Sequence, residues 1–223
     1  MKGLAAAALF LTIGVLGAWS NSAAQVFHDD FDWATVDTSR WDVSGYGLVS
    51  VANGRLHLAP DGCLYPFLVT KHNPFPPSGD YLCRVGFRYT SVQRGGNGFG
   101  TMDGSRGMWS GGFVLWQDSG HGLATEFGDI GRLMPLSGGN PDLNDHVFEW
   151  RYEDGVYSFS LDGRKLGESR SARTSDRLFL GHEAYCFSEP WSTSECDFVH
   201  IEWLNQPVSG RPTTWGTVKG AYR

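Results

Sequence analysis

Apolar and polar positions alternate with a period of two along most of this chain, and the pattern is clearest from His146 to Leu166, HVFEWRYEDGVYSFSLDGRKL. Alternation of this kind marks a strand with one buried face. Asp154-Gly155 and Asp162-Gly163 interrupt it, and Asp-Gly supplies the positive φ angles that a two-residue type I′ turn needs. The stretch therefore predicts three antiparallel strands. A two-residue first turn pairs Glu153 with Val156, Tyr152 with Tyr157, Trp150 with Phe159 and Phe148 with Leu161. All six aromatic and aliphatic partners beyond the turn then share one face, while Glu149, Arg151, Ser158 and Ser160 share the other. The second turn extends the pattern by setting Lys165 opposite Ser160 and Leu166 opposite Phe159. A slip of one residue would turn the aromatic face to water, so the register is strongly specified, and the face needs a second apolar layer to cover it.

The same grammar runs through the rest of the chain. Leu48 to Ala59 reads as a hairpin turning at Asn53-Gly54, with Val51 opposite Leu56, Val49 opposite Leu58, and Ser50 and His57 on the other face. Further strands are expected at Val26–Asp32, Trp41–Val43, Leu64–Lys71, Tyr81–Val92, Phe99–Met102, Gly112–Asp118, Leu123–Ile130, Arg177–Tyr185 and Asp197–Leu204. Gly112–Asp118 and Leu123–Ile130 are expected to pair. Pro74, Pro76 and Pro77 mark a loop, and Asp103–Ser110 and Pro135–Asp145 read as loops as well. No amphipathic helix precedes the tail, and no internal repeat or domain boundary is visible. About a dozen strands with turn signals at this spacing predict a single-domain, all-β antiparallel sandwich over residues 25–204. Residues 205–223 form a separate tail, where Thr213 or Thr214 is placed to cap a short helix carrying Trp215, Val218 and Tyr222.

The first 24 residues modify this picture. Lys2, the apolar run Leu4 to Leu16 and the small residues Ser22-Ala23-Ala24 have the layout of a secretory signal peptide cleaved after Ala24. The run is short for a membrane span. Cleavage leaves 199 of the 223 residues, and losing Lys2 takes the net charge from −6 to −7. With no basic run, nucleic acid is excluded as an expected partner, and no membrane span remains. The address is secreted, periplasmic or extracellular. Four cysteines, Cys63, Cys83, Cys186 and Cys196, then predict two disulfides. Of the three connectivities, Cys63–Cys83 and Cys186–Cys196 are favoured because each pair brackets a loop between strands. No CxxC or Cys/His spacing supports zinc.

Three stretches resemble the concanavalin A-like lectin/glucanase superfamily, closest to glycoside hydrolase family 16 and laminin-G-like modules. They are HDDFDWATVDTSRWDVS near the N-terminus, HVFEWRYEDGVYSFSLDGRKL, and the closing CDFVHIEWL. The resemblance spans most of residues 26–204. It implies a curved jelly roll of two antiparallel sheets with a ligand groove on the concave face of one of them.

Family 16 chemistry requires two carboxyl groups about 5–5.5 Å apart, carried on one strand as Glu-x-Asp-x-Glu or with one extra residue before the second Glu. The corresponding segment here is ATEFGDIG, Ala124 to Gly131. Glu126 fits the nucleophile, Gly128 stands in the place of the Asp, and Ile130 or Gly131 in the place of the acid/base. Asp129 is the only other acid, and strand alternation aims it to the opposite face. Glu149 and Glu153, with Arg151 between them, read as a solvated face with an ion pair.

The resemblance with a broken acid pair implies a secreted carbohydrate-binding module that takes a polysaccharide or glycan. Trp109, Trp116, Gln117, Glu126, Tyr185 and Trp191 are its candidate ligand residues, with His121 as a further hydrogen-bonding group. Aromatics stack on the C–H faces of sugars while amides and carboxylates take their hydroxyls. Two alternatives stand beside it: a divergent glycosidase or polysaccharide lyase using Glu126, and a structural or protein-interaction domain of the laminin-G kind. The resemblance also implies a structural calcium ion, with Asp197 as the matching ligand.

Overall fold

The computed structural model describes residues 24–45, 48–61, 66–76, 79–93, 96–103, 108–111, 113–116, 123–126, 133–135, 142–170, 177–183 and 192–204. All of its regular elements among these residues are strands: β1 (Ala24–Asp29), β2 (Trp41–Ser44), β3 (Val49–Ala52), β4 (Arg55–Leu58), β5 (Phe67–Thr70), β6 (Asp80–Ser91), β7 (Gly96–Asp103), β8 (Met108–Gly111), β9 (Phe113–Trp116), β10 (Leu123–Glu126), β11 (Leu133–Pro135), β12 (His146–Glu153), β13 (Val156–Leu161), β14 (Arg164–Arg170), β15 (Arg177–Glu183) and β16 (Thr193–Leu204). Among the described residues no helix is long and apolar enough to cross a membrane. The N-terminal 23 residues and the tail from 205 lie outside the described residues.

One layer is an eight-stranded antiparallel sheet in the order β14-β13-β12-β6-β16-β4-β3. The long β16 pairs with β4 through Ser194–Cys196 and with β1 through residues 199–203. The facing layer is the five-stranded sheet β2-β5-β15-β7-β8, and a three-stranded sheet β11-β10-β9 approaches it where β9 lies against β7. Side chains from the two layers meet in one core that includes Trp41, Tyr81, Val85, Phe87, Phe99, Phe148, Trp150, Tyr157, Phe159, Leu178, Leu180 and Ile201. This is the all-β antiparallel sandwich expected from the alternation.

Turn chemistry sets the register where it was expected to. Asn53 and Gly54, Asp154 and Gly155, and Asp162 and Gly163 all have positive φ, between 50° and 78°. The first meander turn gives Glu153↔Val156, Tyr152↔Tyr157, Trp150↔Phe159 and Phe148↔Leu161. The early hairpin gives Val51↔Leu56, Val49↔Leu58 and Ser50↔His57. Beyond the second turn the outcome differs. Ser160 pairs with Lys165, but Phe159 pairs with Gly167, because a bulge leaves Leu166 as an extra residue on the edge strand. Leu166 still reaches the core, at 7% exposure.

Three further expectations are corrected. β8 begins at Met108, inside the stretch read as a loop, and pairs with β7. The first strand ends at Asp29 rather than Asp32, because the backbone turns there and Phe31 adopts φ 54°. Cys83 and Cys196 are free and fully buried thiols, so the expected Cys63–Cys83 and Cys186–Cys196 pairings are not made here. Cys83 faces inward with Tyr81 and Val85, opposite Trp150 and Ile201, and Cys196 sits opposite Leu56 and Phe87. Burial raises both thiol pKa values, with neighbouring acidic charge adding to it at each, which leaves them inert core residues. Cys63 and Cys186 lie outside the described residues.

Candidate functional site

Glu126 closes β10, the central strand of the three-stranded sheet, with Phe113 opposite on β9 and Leu133 opposite on β11. The expected pairing of the Gly112–Asp118 and Leu123–Ile130 segments is present: Leu123 pairs with Trp116, Ala124 with Leu115 and Thr125 with Val114. Trp116 thus stands across from a position three residues before Glu126. Positions alternate faces, so the register puts Trp116 and Glu126 in rows of opposite parity. Trp109 belongs to another sheet, where β8 pairs it with Met102 in the row of Arg177. Gln117, His121, Asp129, Tyr185 and Trp191 lie outside the described residues. The structure therefore positions the strand of Glu126 and the rows of two tryptophans, without bringing those two together.

Sequence reading missed a floor on the face of the five-stranded sheet that points away from the core. Leu68, Leu178 and Leu180 face inward, while Val69, Phe179 and Phe67 form a second apolar cluster on the other side. Gly100 lies opposite Phe179 and Gly98 opposite Gly181. A Cβ on Gly181 would sit 2.4 Å from the Phe179 ring and 2.8 Å from the Phe67 Cβ, so the ring covers the glycine. Val69 and Phe179 are only 3% and 2% exposed. The cluster underlies this face as packing and is not an open stacking surface. FLVT and LFLG, apolar on both parities, carried the signal, since a strand covered on both faces loses its alternation.

The outer face of the eight-stranded sheet is ionic. Arg84 donates to Glu149 (2.9 Å) and Glu202 (2.6 Å), and Arg151 donates to Glu153 (2.9 Å). Glu149 and Glu153 thus belong to an ion-paired solvated face, as their spacing around Arg151 indicated. Glu195 is nearly buried, bound by Arg88 at 2.7 Å and facing His57 Nδ1 at 3.1 Å.

Two polar latches fix the loops at the ends of the sandwich. Asp29, buried at 2% exposure, accepts from Phe31 N (3.0 Å) and Trp41 Nε1 (2.9 Å) and lies 3.1 Å from Arg40 Nη1. Burial raises its pKa despite these partners. Arg40 also stacks over Phe27 at 4.6 Å and donates to His28 O. The second latch is His146, whose Nδ1 lies 2.7 Å from Asp162 and Nε2 2.9 Å from Asp142. Two ionised carboxylates only accept, so filling both contacts requires imidazolium. Burial opposes that charge, but the hydrogen bonds and charges of Asp162 and Asp142 outweigh it and raise the pKa above 6.5. A raised folded pKa contributes stability that is complete below the unfolded value and lost as pH rises through the folded one. As pH rises above about 6.5 and through the raised folded pKa, the melting temperature of the wild type is therefore expected to fall relative to His146→Gln. The difference should be on the order of 1 kcal/mol, because both carboxylates are half-exposed. Parallel melting curves for the two proteins would expose an error in this account.

Asp197 does not fit the implied calcium. Its half-exposed carboxylate lies 3.6 Å from Arg55 Nη2, and no group of three or more His, Cys, Asp or Glu among the described residues is arranged to hold a metal. Calcium takes six to eight oxygens at about 2.3–2.6 Å, whereas here a guanidinium already faces the carboxylate.

With this geometry the chain superposes on a group of sugar-related structures. One is from a study of endo-acting O-glycanases that members of the human gut microbiota express to initiate mucin breakdown (TM-score 0.63, 20% identity, 82% of this chain and 100% of that one). Another is the carbohydrate recognition domain of Emp47p (0.62, 15%, 81% and 96%), and a third is the β-glucanase of Bacillus licheniformis (0.63, 12%, 82% and 100%). The fold is that of the concanavalin A-like lectins and glucanases. At these identities the likeness defines the fold alone. No family model matches the chain, and no curated protein matches it.

Proposed function

We propose that this protein is a secreted, non-catalytic glycan-binding module whose ligand lies against the sheet that carries Glu126. The observation that carries the reading is the chain's own segment Ala124–Gly131: it retains a carboxylate at the nucleophile's place and puts Gly128 and Ile130 or Gly131 where the partner acids belong. Retaining hydrolysis needs both carboxyls, whereas recognition needs only hydrogen-bonding groups and aromatic faces. The similar structures include a carbohydrate recognition domain and glucanases, which agrees with a sugar ligand under either reading. The signal-like N-terminus supports secretion. Glu126, Gln117, Tyr185 and Trp191 are the proposed ligand residues; Trp116, in a row of opposite parity to Glu126, and Trp109, on the five-stranded sheet, are left out of this face.

A glycan array probed with the mature protein tests the proposal. Binding to a defined polysaccharide class is expected, weakened about tenfold by Trp191→Ala, in line with roughly 1–1.5 kcal/mol for an aromatic contact. Absence of binding across the array would point to the protein-interaction alternative. The divergent glycosidase remains as a second reading because Glu126 ends a central strand. It predicts reducing ends released from β-glucans or galactans and lost in Glu126→Gln.

A further inference from the structure

We infer that Arg55 is the resident cation of the site at which the resemblance implies calcium. Arg55 opens β4 directly after the positive-φ Gly54. Alternation sends Leu56 into the core and leaves Arg55 on the outer face, 21% exposed. There its guanidinium faces three carboxylates from two segments, Asp145 before β12 and Glu195 and Asp197 on β16. Nη1 donates to Asp145 at 2.9 Å, on the residue just before β12. Nη2 lies 3.6 Å from Asp197, at the β16 register shift between Cys196 and Phe198. Nη1 also lies 3.9 Å from Glu195. Burial works against the charge, yet the Asp145 hydrogen bond and the three acidic charges outweigh it and raise the Arg55 pKa further.

One fixed positive charge thus gathers β4, β16 and the approach to β12. A dication would perform the same gathering with oxygen ligands. The two exclude each other, since a metal drawing Asp145 and Asp197 inward would have to displace a like-charged guanidinium from them. An arginine, moreover, is always charged and always present, so this fastening does not depend on the supply of an ion.

The test is thermal melting of the full mature protein in chelator and in millimolar calcium. The wild type is expected to melt within about 1 °C in the two buffers. Arg55→Gln is expected to melt lower in chelator and to regain about 2–4 °C with calcium, a gain erased by adding Asp197→Asn. Arg55→Lys, which keeps the charge, is expected to stay unresponsive. A calcium response no larger in Arg55→Gln than in the wild type overturns the inference, as does a gain that survives Asp197→Asn. If Arg55→Gln does not fold, the wild type and Asp197→Asn suffice. A wild-type calcium response that Asp197→Asn abolishes overturns it, and a wild type unmoved by calcium supports it.

Discussion

Asp29→Ala is expected to cost about 3–5 kcal/mol, lowering the melting temperature by about 10 °C or more. The carboxylate is sealed from water and is the acceptor for the Trp41 indole and the Phe31 amide, with Arg40 beside it. Removing it leaves two buried donors without an acceptor and a cation without its counter-charge, and each unsatisfied donor alone costs about 1–3 kcal/mol. Trp41→Phe deletes one donor while keeping the carboxylate and Arg40, so a smaller loss of about 1–2 kcal/mol is expected. Denaturant unfolding of the three proteins checks the ranking. An Asp29→Ala protein as stable as Trp41→Phe would mean that the latch does not hold the N-terminal segment.

Trp150→Ala is expected to cost a similar 3–5 kcal/mol for a different reason. The indole is 1% exposed, opposite Phe159 and Cys83 and 5.7 Å from the Phe148 ring, so its removal opens a cavity that rigid sheets on both sides cannot close. Arg151→Ala, one residue on, points to solvent and loses only the exposed pair with Glu153, so a change within about 0.5 kcal/mol is expected. The contrast between adjacent residues measures strand parity directly. Similar losses from both would put the meander in a different register.

The parts of the fold that were legible in the sequence are those fixed by neighbouring residues. Asn53-Gly54, Asp154-Gly155 and Asp162-Gly163 determine their own turns, and each turn then dictates the pairs beside it. Leu166 shows where that logic stops. Its turn is local, but the bulge that follows lies on the edge strand β14, and no residue beside it in the sequence signals it. Asp29 ends β1, as the strand pattern indicated, but its latch was not legible because its partner, Trp41, lies twelve residues away and nothing nearby announces the contact. Cys83 is the opposite case. The alternation in YLCRVGFRY already turns it inward with Tyr81 and Val85, yet an even cysteine count behind a signal peptide argued for a bridge. Parity carried geometric information that the count did not.

The candidate site divides in the same way. The strand of Glu126 and its partner strand were readable because β9 is an apolar run and β10 follows it closely in sequence. The role of Asp197 was not. Its surroundings are set by Arg55, contributed by a hairpin in the first third of the chain, and no motif at either end names the other. The Phe67–Val69–Phe179 floor was hidden because strands covered on both faces look like uniform apolar runs, without a parity to assign.

Binding without turnover is the central claim, and one experiment reads both halves. The mature protein is incubated with the polysaccharide that it retains best in affinity electrophoresis, and the polymer's size distribution is then followed by size-exclusion chromatography. The account predicts clear retardation of the protein on the gel and a polymer profile unchanged over days, identical for wild type and Glu126→Gln. Progressive shortening of the polymer by wild type, absent with Glu126→Gln, would contradict it.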